Sequence, residues 1–109
     1  MQLNRKIMPQ EEKLLVMLVN KASIKLSPNW KENLLVRPMP DGAMGSLYLF
    51  PEGVINIQRL FGKQVSEYHF IDEDGVKVIA SLNVDDKGEL LELDIWKTDF
   101  RPLLKIPEI

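Results

Sequence analysis

The chain contains no cysteine. Disulfides, thiolate metal sites and cysteine nucleophiles are therefore excluded. It also lacks a charge excess of either sign, with a formal net charge of -2 and a pI near 5.4. Lysine and arginine are scattered, never more than two in a row, so nothing resembles the clustered cations that nucleic acid requires. Long hydrophobic runs are missing too: the longest, Leu14 to Val19, is six residues, far short of a membrane span. No apolar stretch precedes the first charges of MQLNRKIMPQEEK, and no small-residue cleavage site follows. A secretory leader is thus not expected, and the cytoplasm is the expected compartment. Repeats, linkers and low-complexity segments are absent as well.

What is present is an ordinary globular composition, 45% hydrophobic and 28% charged over 109 residues, which suits one domain over residues 1–109 with a single core. Pro9 followed by Gln10, Glu11 and Glu12 opens a helix, since proline fits the first helical position and carboxylates complement the positive dipole end. The helix should run to about Ala22. Leu14, Leu15, Leu18 and Ala22 form its stripe, while Val16, Met17 and Val19 carry apolar surface around the other sides, as in a helix covered on more than one side. Ser27-Pro28 repeats the start signal and predicts a short second helix to about Asn33, with Trp30 toward the core.

Strands are expected at Leu34–Met39 and Ser46–Phe50, around a turn at Asp41 to Gly45. Pro38 and Pro40 suit an edge strand. A short strand over Val54–Ile57 is also allowed. The tail from Asp99, with prolines at 102 and 107, should run extended over the body.

Residues 64 to 97 read as three antiparallel strands joined by two glycine-ended turns. A three-residue loop, Glu73-Asp74-Gly75, pairs Phe70 with Val78 and Tyr68 with Ala80, with the aromatics inside. A four-residue loop, Asp85 to Gly88, then places Leu82 opposite Leu91, Ala80 opposite Leu93 and Val78 opposite Ile95. The core pattern selects this pairing, because a one-residue slip exposes an entire apolar set. The expected fold class is α+β: an N-terminal helix and a short second helix packed on one face of a mostly antiparallel sheet of about five strands.

In this register the reverse face carries the rows Glu67, Ser81, Glu92; His69, Ile79, Asp94; and Ile71, Lys77, Trp96. Ser81, His69 and Asp94 invite a nucleophile and base reading, but Ile79 separates the histidine from the aspartate by two strand spacings, about 9–10 Å. Glu67 and Glu92 flank Ser81 without the deep cleft a glycosidase needs. Asp72 to Gly75 and Asp85 to Gly88 lack the distal glutamate of a calcium loop and read as turns. Catalytic residues, metals and cofactors are therefore not expected.

The candidate binding residues are Arg59, Phe61 and Lys63 in the irregular 51–63 segment, Glu67, His69 and Asp94 on the sheet face, and Trp96, Lys97 and Asp99 near the end of the last strand. Tryptophan and arginine are enriched at interface hot spots, so a non-catalytic protein-binding module is the first expectation. The alternative is a small-molecule-binding protein or small enzyme with a pocket around Glu67, His69 and Asp94, between the 51–63 segment and the sheet. A homo-oligomer built on the apolar helix is the third. A protein partner or further copies of the chain are expected, not nucleic acid or membrane.

Four stretches carry a family resemblance: PMPDGAMGSL (38–47), FGKQVSE (61–67), ASLNVD (80–85) and ELDIWKTDF (92–100). Together, over about residues 30 to 107, they resemble an uncharacterised family of small bacterial proteins, a domain of unknown function. The strand-plus-tail ending is also similar to that of immunity-type proteins of bacterial toxin loci. That second likeness implies a protein that binds and blocks a toxin.

Overall fold

The computed structural model describes residues 4–51 and 59–108. Among these described residues six strands and one helix follow one another: β1 (Arg5–Lys6), α1 (Pro9–Ala22), β2 (Leu35–Pro38), β3 (Leu47–Phe50), β4 (Phe61–Ile71), β5 (Lys77–Asp85) and β6 (Leu90–Lys97). All pair antiparallel in one sheet of order β1-β2-β3-β6-β5-β4. The α+β reading stands, with one helix fewer and one strand more than expected. The short strand foreseen at 54–57 lies outside the described residues.

Helix α1 begins with Pro9 at its first position. Glu11 turns back to accept the Met8 backbone N–H at 2.9 Å, while both terminal nitrogens of Arg5 donate to its carboxylate at 2.9 and 3.0 Å. A glutamate three residues into the helix thereby satisfies an otherwise orphan donor and is itself neutralised. Ser23, in the left-handed region at φ 56°, ends the helix. Leu14, Leu15, Leu18 and Val19 are buried against Val78, Ala80, Leu82, Leu93 and Ile95 of the sheet. Val16 and Met17 stay only partly covered.

The second helix does not form. Residues 28–33 make successive turns, with Trp30 N–H donating to Ser27 O at 3.1 Å and Glu32 N–H to Asn29 O at 3.0 Å. Serine and proline supplied a start signal, but the run is too short to repay nucleation. Trp30 does pack against the core.

Proline tolerance in β2 has a simple geometry. Met39 N–H donates to Ser46 O across to β3, so by strand alternation position 38 would direct its amide away from β3. Among the described residues β1 pairs only with Leu35 and Val36, and none stands opposite Pro38 on that side.

The β4–β5 hairpin has the expected register: Phe70 lies opposite Val78, Tyr68 opposite Ala80 and Glu67 opposite Ser81. Strand β4 begins at Phe61, earlier than expected, and carries irregularities at Gly62 and Val65. Gly62 is a matter of close approach: a Cβ there would stand 2.2 Å from Asp85 O.

The β5–β6 pairing corrects the sequence reading. Leu82 faces Leu93, Ala80 faces Ile95 and Val78 faces Lys97, a two-residue displacement from the expected partners. The turn closes one residue later than expected, with Asp85 in the strand: Asp85 N–H donates to Glu89 O, and the Asp85 carboxylate accepts the N–H groups of Lys87 and Glu89, each at 2.9 Å. An irregularity beyond Val84 then accommodates one further residue. Leu90 is buried in place of Leu91, which becomes partly exposed.

The two halves of the sheet meet narrowly. Between β3 and β6 only Leu47–Leu93 and Tyr48–Glu92 pair. Ser46 prolongs the joint with its side chain: its Oγ donates to Ile95 O at 3.1 Å and accepts from Ile95 N–H at 2.8 Å. The tail crosses the core face as expected, with Leu103 and Ile106 packed on the core and Leu103 N–H bonded to Ala43 O.

Candidate functional site

The displaced register redraws the reverse face of the sheet. Its rows are now Asn83 beside Glu92, then Glu67, Ser81 and Asp94, then His69, Ile79 and Trp96. Glu67 and Asp94 flank Ser81 from either side, their strands roughly 10 Å apart. His69 moves into line with Trp96, and its imidazole Nε2 lies 3.6 Å from Glu67 Oε2, both groups half-exposed.

Asp94 is the most perturbed group here. Partial burial pushes its carboxyl above the usual range, the charges of Glu92 and Asp41 add to this, and a hydrogen bond from Asn83 opposes it. The buried Asn83 amide donates to Asp94 Oδ2 at 2.8 Å and to Glu92 Oε1 at 3.3 Å. One amide group thus holds two carboxylates together, which a sheet face tolerates because both retain access to water.

At the other end of this face the apolar side chains gather. Ile79 lies opposite Trp96, and the Trp96 and Phe100 rings stand 6.0 Å apart at a tilt of 50°. Trp96 is 45% exposed, Ile71 65% and Phe100 70%. Phe100 is held out in the left-handed region at φ 64°, where its N–H donates to Lys97 O at 2.8 Å.

Lys97, a candidate on sequence, is not at the surface. Sharing parity with Leu93 and Ile95, it points into the core and is wholly buried. Its ammonium donates to Asp72 Oδ2 at 2.8 Å, Asp74 Oδ2 at 2.6 Å and Pro102 O at 3.3 Å. Burial disfavours the charged lysine, but the hydrogen bonds and charges of the two aspartates outweigh it and raise its pKa. Asp72 also accepts the N–H groups of Glu73, Leu104 and Lys105. Burial acts to raise the Asp72 carboxyl, yet these donors together hold it at about 2. The ion cluster ties the β4–β5 turn, the end of β6 and the tail into one unit.

Arg59 is likewise internal. Its Nε donates to Asp85 Oδ2 at 3.0 Å and one terminal nitrogen to Leu49 O at 2.7 Å, while the other donates to Leu90 O. It clamps the ends of β3, β5 and β6. Phe61 is exposed and borders a cavity of about 400 Å3 with Arg37, Tyr48, Phe50 and Glu92. Lys63 lines a different cavity, of about 520 Å3, with Lys25, Trp30 and Lys87. Asp99 pairs with the Arg101 guanidinium at 2.6 Å.

The Arg59–Lys63 group and the Trp96–Asp99 group therefore do not form one cluster. Phe61 pairs at Asp85 and Trp96 at Ile79, six residues along β5, or roughly 20 Å. Neither cavity includes Glu67, His69 or Asp94. Among the described residues no group of histidine, aspartate and glutamate is arranged to hold a metal ion. What the sequence reading missed is the role of Asp72, Ser46 and Asn83. For Lys97 a signal existed, since it continues the alternation of Leu93 and Ile95.

A family model described as "Domain of unknown function (DUF6984)" matches residues 4–107. The chain belongs to that family. No curated protein and no solved structure matches it. In this DUF6984 domain no helix among the described residues is long and apolar enough to cross a membrane.

Proposed function

We propose that the protein is a non-catalytic protein-binding module that receives its partner on the mixed face of the sheet. One observation carries this reading: Ile71, Ile79, Trp96 and Phe100 gather at one end of that face, with Trp96, Ile71 and Phe100 substantially exposed. Monomeric proteins scatter such residues singly, whereas a contiguous patch around tryptophan marks an interaction site. The neighbouring carboxylates Glu67, Glu92 and Asp94 suit a partner with a cationic surface around an apolar projection. Charge complementarity of this kind favours encounter and register.

The biological setting we infer is an immunity-type role inside a bacterial cell, the protein covering a cationic region of a toxin. The likeness of the strand-plus-tail ending to immunity-type proteins supports it. The test is to co-express the chain with the product of its neighbouring gene and measure complex formation by calorimetry. Binding weakened at least tenfold by Trp96→Ala, and unchanged by Lys25→Ala, is the expected result. Failure of the neighbouring gene's product to bind, or indifference of the complex to Trp96→Ala, overturns the proposal.

The alternative, a small ligand held by Glu67, His69 and Asp94, draws support from the raised Asp94 carboxyl. A small cationic ligand whose affinity is lost in Asp94→Asn would favour it over a protein partner.

A further inference from the structure

Strand β4 ends the sheet, and among the described residues it pairs with β5 alone. Its outer edge can be read residue by residue. Asp72 N–H donates to Val76 O at the hairpin, so positions of the same parity, Phe70 and Tyr68, direct their backbone groups toward β5. Glu67, His69 and Ile71 direct theirs outward, and no hydrogen bond to another described residue engages them. Native edges are usually blunted by proline, lysine or bulges. The bulges of β4 are confined to its beginning, at Gly62 and Val65. From Ser66 to Ile71 the strand is regular and holds neither proline nor lysine.

The side chains along this stretch are complementary to themselves. An antiparallel pair of two identical strands about a two-fold axis at Tyr68 sets Glu67 of each copy opposite His69 of the other. Both residues belong to the outward-directed set, so this is also a register in which their N–H and C=O groups meet in hydrogen-bonded pairs. Within one copy Glu67 and His69 already lie 3.6 Å apart. The joint thus places four groups in alternation, carboxylate and imidazole, both along and across the strands. A two-fold axis at Glu67 would oppose two carboxylates, which is unfavourable. The Tyr68 axis also brings the exposed Ile71 of one copy to the Val65 end of the other, and Tyr68 against itself on the helix side.

We propose that two copies of the chain join edge to edge through β4, extending the sheet across a two-fold axis at Tyr68. Such an isologous contact is closed and leaves the Trp96 face free on both copies. The test is sedimentation of the full chain from micromolar to millimolar concentration. The mass should rise from one chain to two. His69→Pro removes an outward amide and spares the β5 ladder, so it should abolish the rise. Glu67→Lys or His69→Glu alone should each weaken association roughly tenfold, and the two together should restore it. Circular dichroism and thermal unfolding verify that each variant is folded; should His69→Pro fail to fold, the charge exchange alone decides. A single-chain mass at every concentration, or a dimer indifferent to the charge exchange, overturns the proposal.

Discussion

Replacing Ser46 by alanine should open the sheet at the joint between its two halves. The two halves share only two paired positions between β3 and β6, and the Ser46 hydroxyl supplies a donor and an acceptor to Ile95 beyond them. Ser46 and Ile95 are both buried, so water does not readily replace the lost partner. Two hydrogen bonds are worth about 1 kcal/mol each, and leaving the Ile95 N–H and C=O unsatisfied adds to that, for a total of about 2–4 kcal/mol. At roughly 4 °C per kcal/mol for a domain of this size, the midpoint should fall by about 8–16 °C. Thermal unfolding followed by circular dichroism measures the fall, and amide hydrogen exchange at Ile95 should quicken with it. Ser27→Ala is the control, since that hydroxyl meets Asn29 at an exposed site and should change stability by less than about 0.5 kcal/mol. If Ser46→Ala melts with the parent protein and exchange at Ile95 is unchanged, the hydroxyl does not hold the joint.

Gly62→Ala should destabilise by about 1–3 kcal/mol in a urea titration, because the added carbon meets the Asp85 backbone. Gly42→Ala, at φ +74° with nothing within 4 Å, should cost only the left-handed penalty of about 1 kcal/mol. The Asp72 carboxyl titrates near 2 when folded, against 3.8 ordinarily. Its contribution is therefore complete above about pH 3.8 and lost as pH falls through about 2, with the unfolded chain binding the extra proton. Urea midpoints across that window should fall, and Asp72→Asn should flatten the fall while speeding exchange at the Leu104 and Lys105 amides. Arg59→Lys keeps the charge but not the fork that reaches Asp85, Leu49 and Leu90. It should lower the midpoint and speed exchange at the β5–β6 turn.

Helix α1 was legible because its start, stripe and length agree, with Pro9, Glu11 and the leucines all pointing to one element. The β4–β5 hairpin was legible because a glycine-ended three-residue turn and two aromatics turned toward the core, Phe70 buried and Tyr68 partly so, admit one register. The β5–β6 hairpin was not. Leu90 and Leu91 are adjacent and equally apolar, so the pattern alone does not say which of them enters the core. The Asp85 side chain, bonding two amides of its own loop, decides the matter. The candidate face changed in turn: the displacement moved Trp96 from Lys77 to Ile79 and Asp94 from Ile79 to Ser81.

Composition and alternation alone determined the class of fold, the single core and the parity of each strand's side chains, since these follow from local geometry and the burial of apolar surface. Only the assembled chain decided which like-parity residues became neighbours, because two-residue displacements preserve every inward side chain. Loop hydrogen bonds at Asp85 selected among those registers. The same holds for Lys97: its parity is written in the strand, but its charge could enter the core only because Asp72 and Asp74, more than twenty residues earlier, were carried to it.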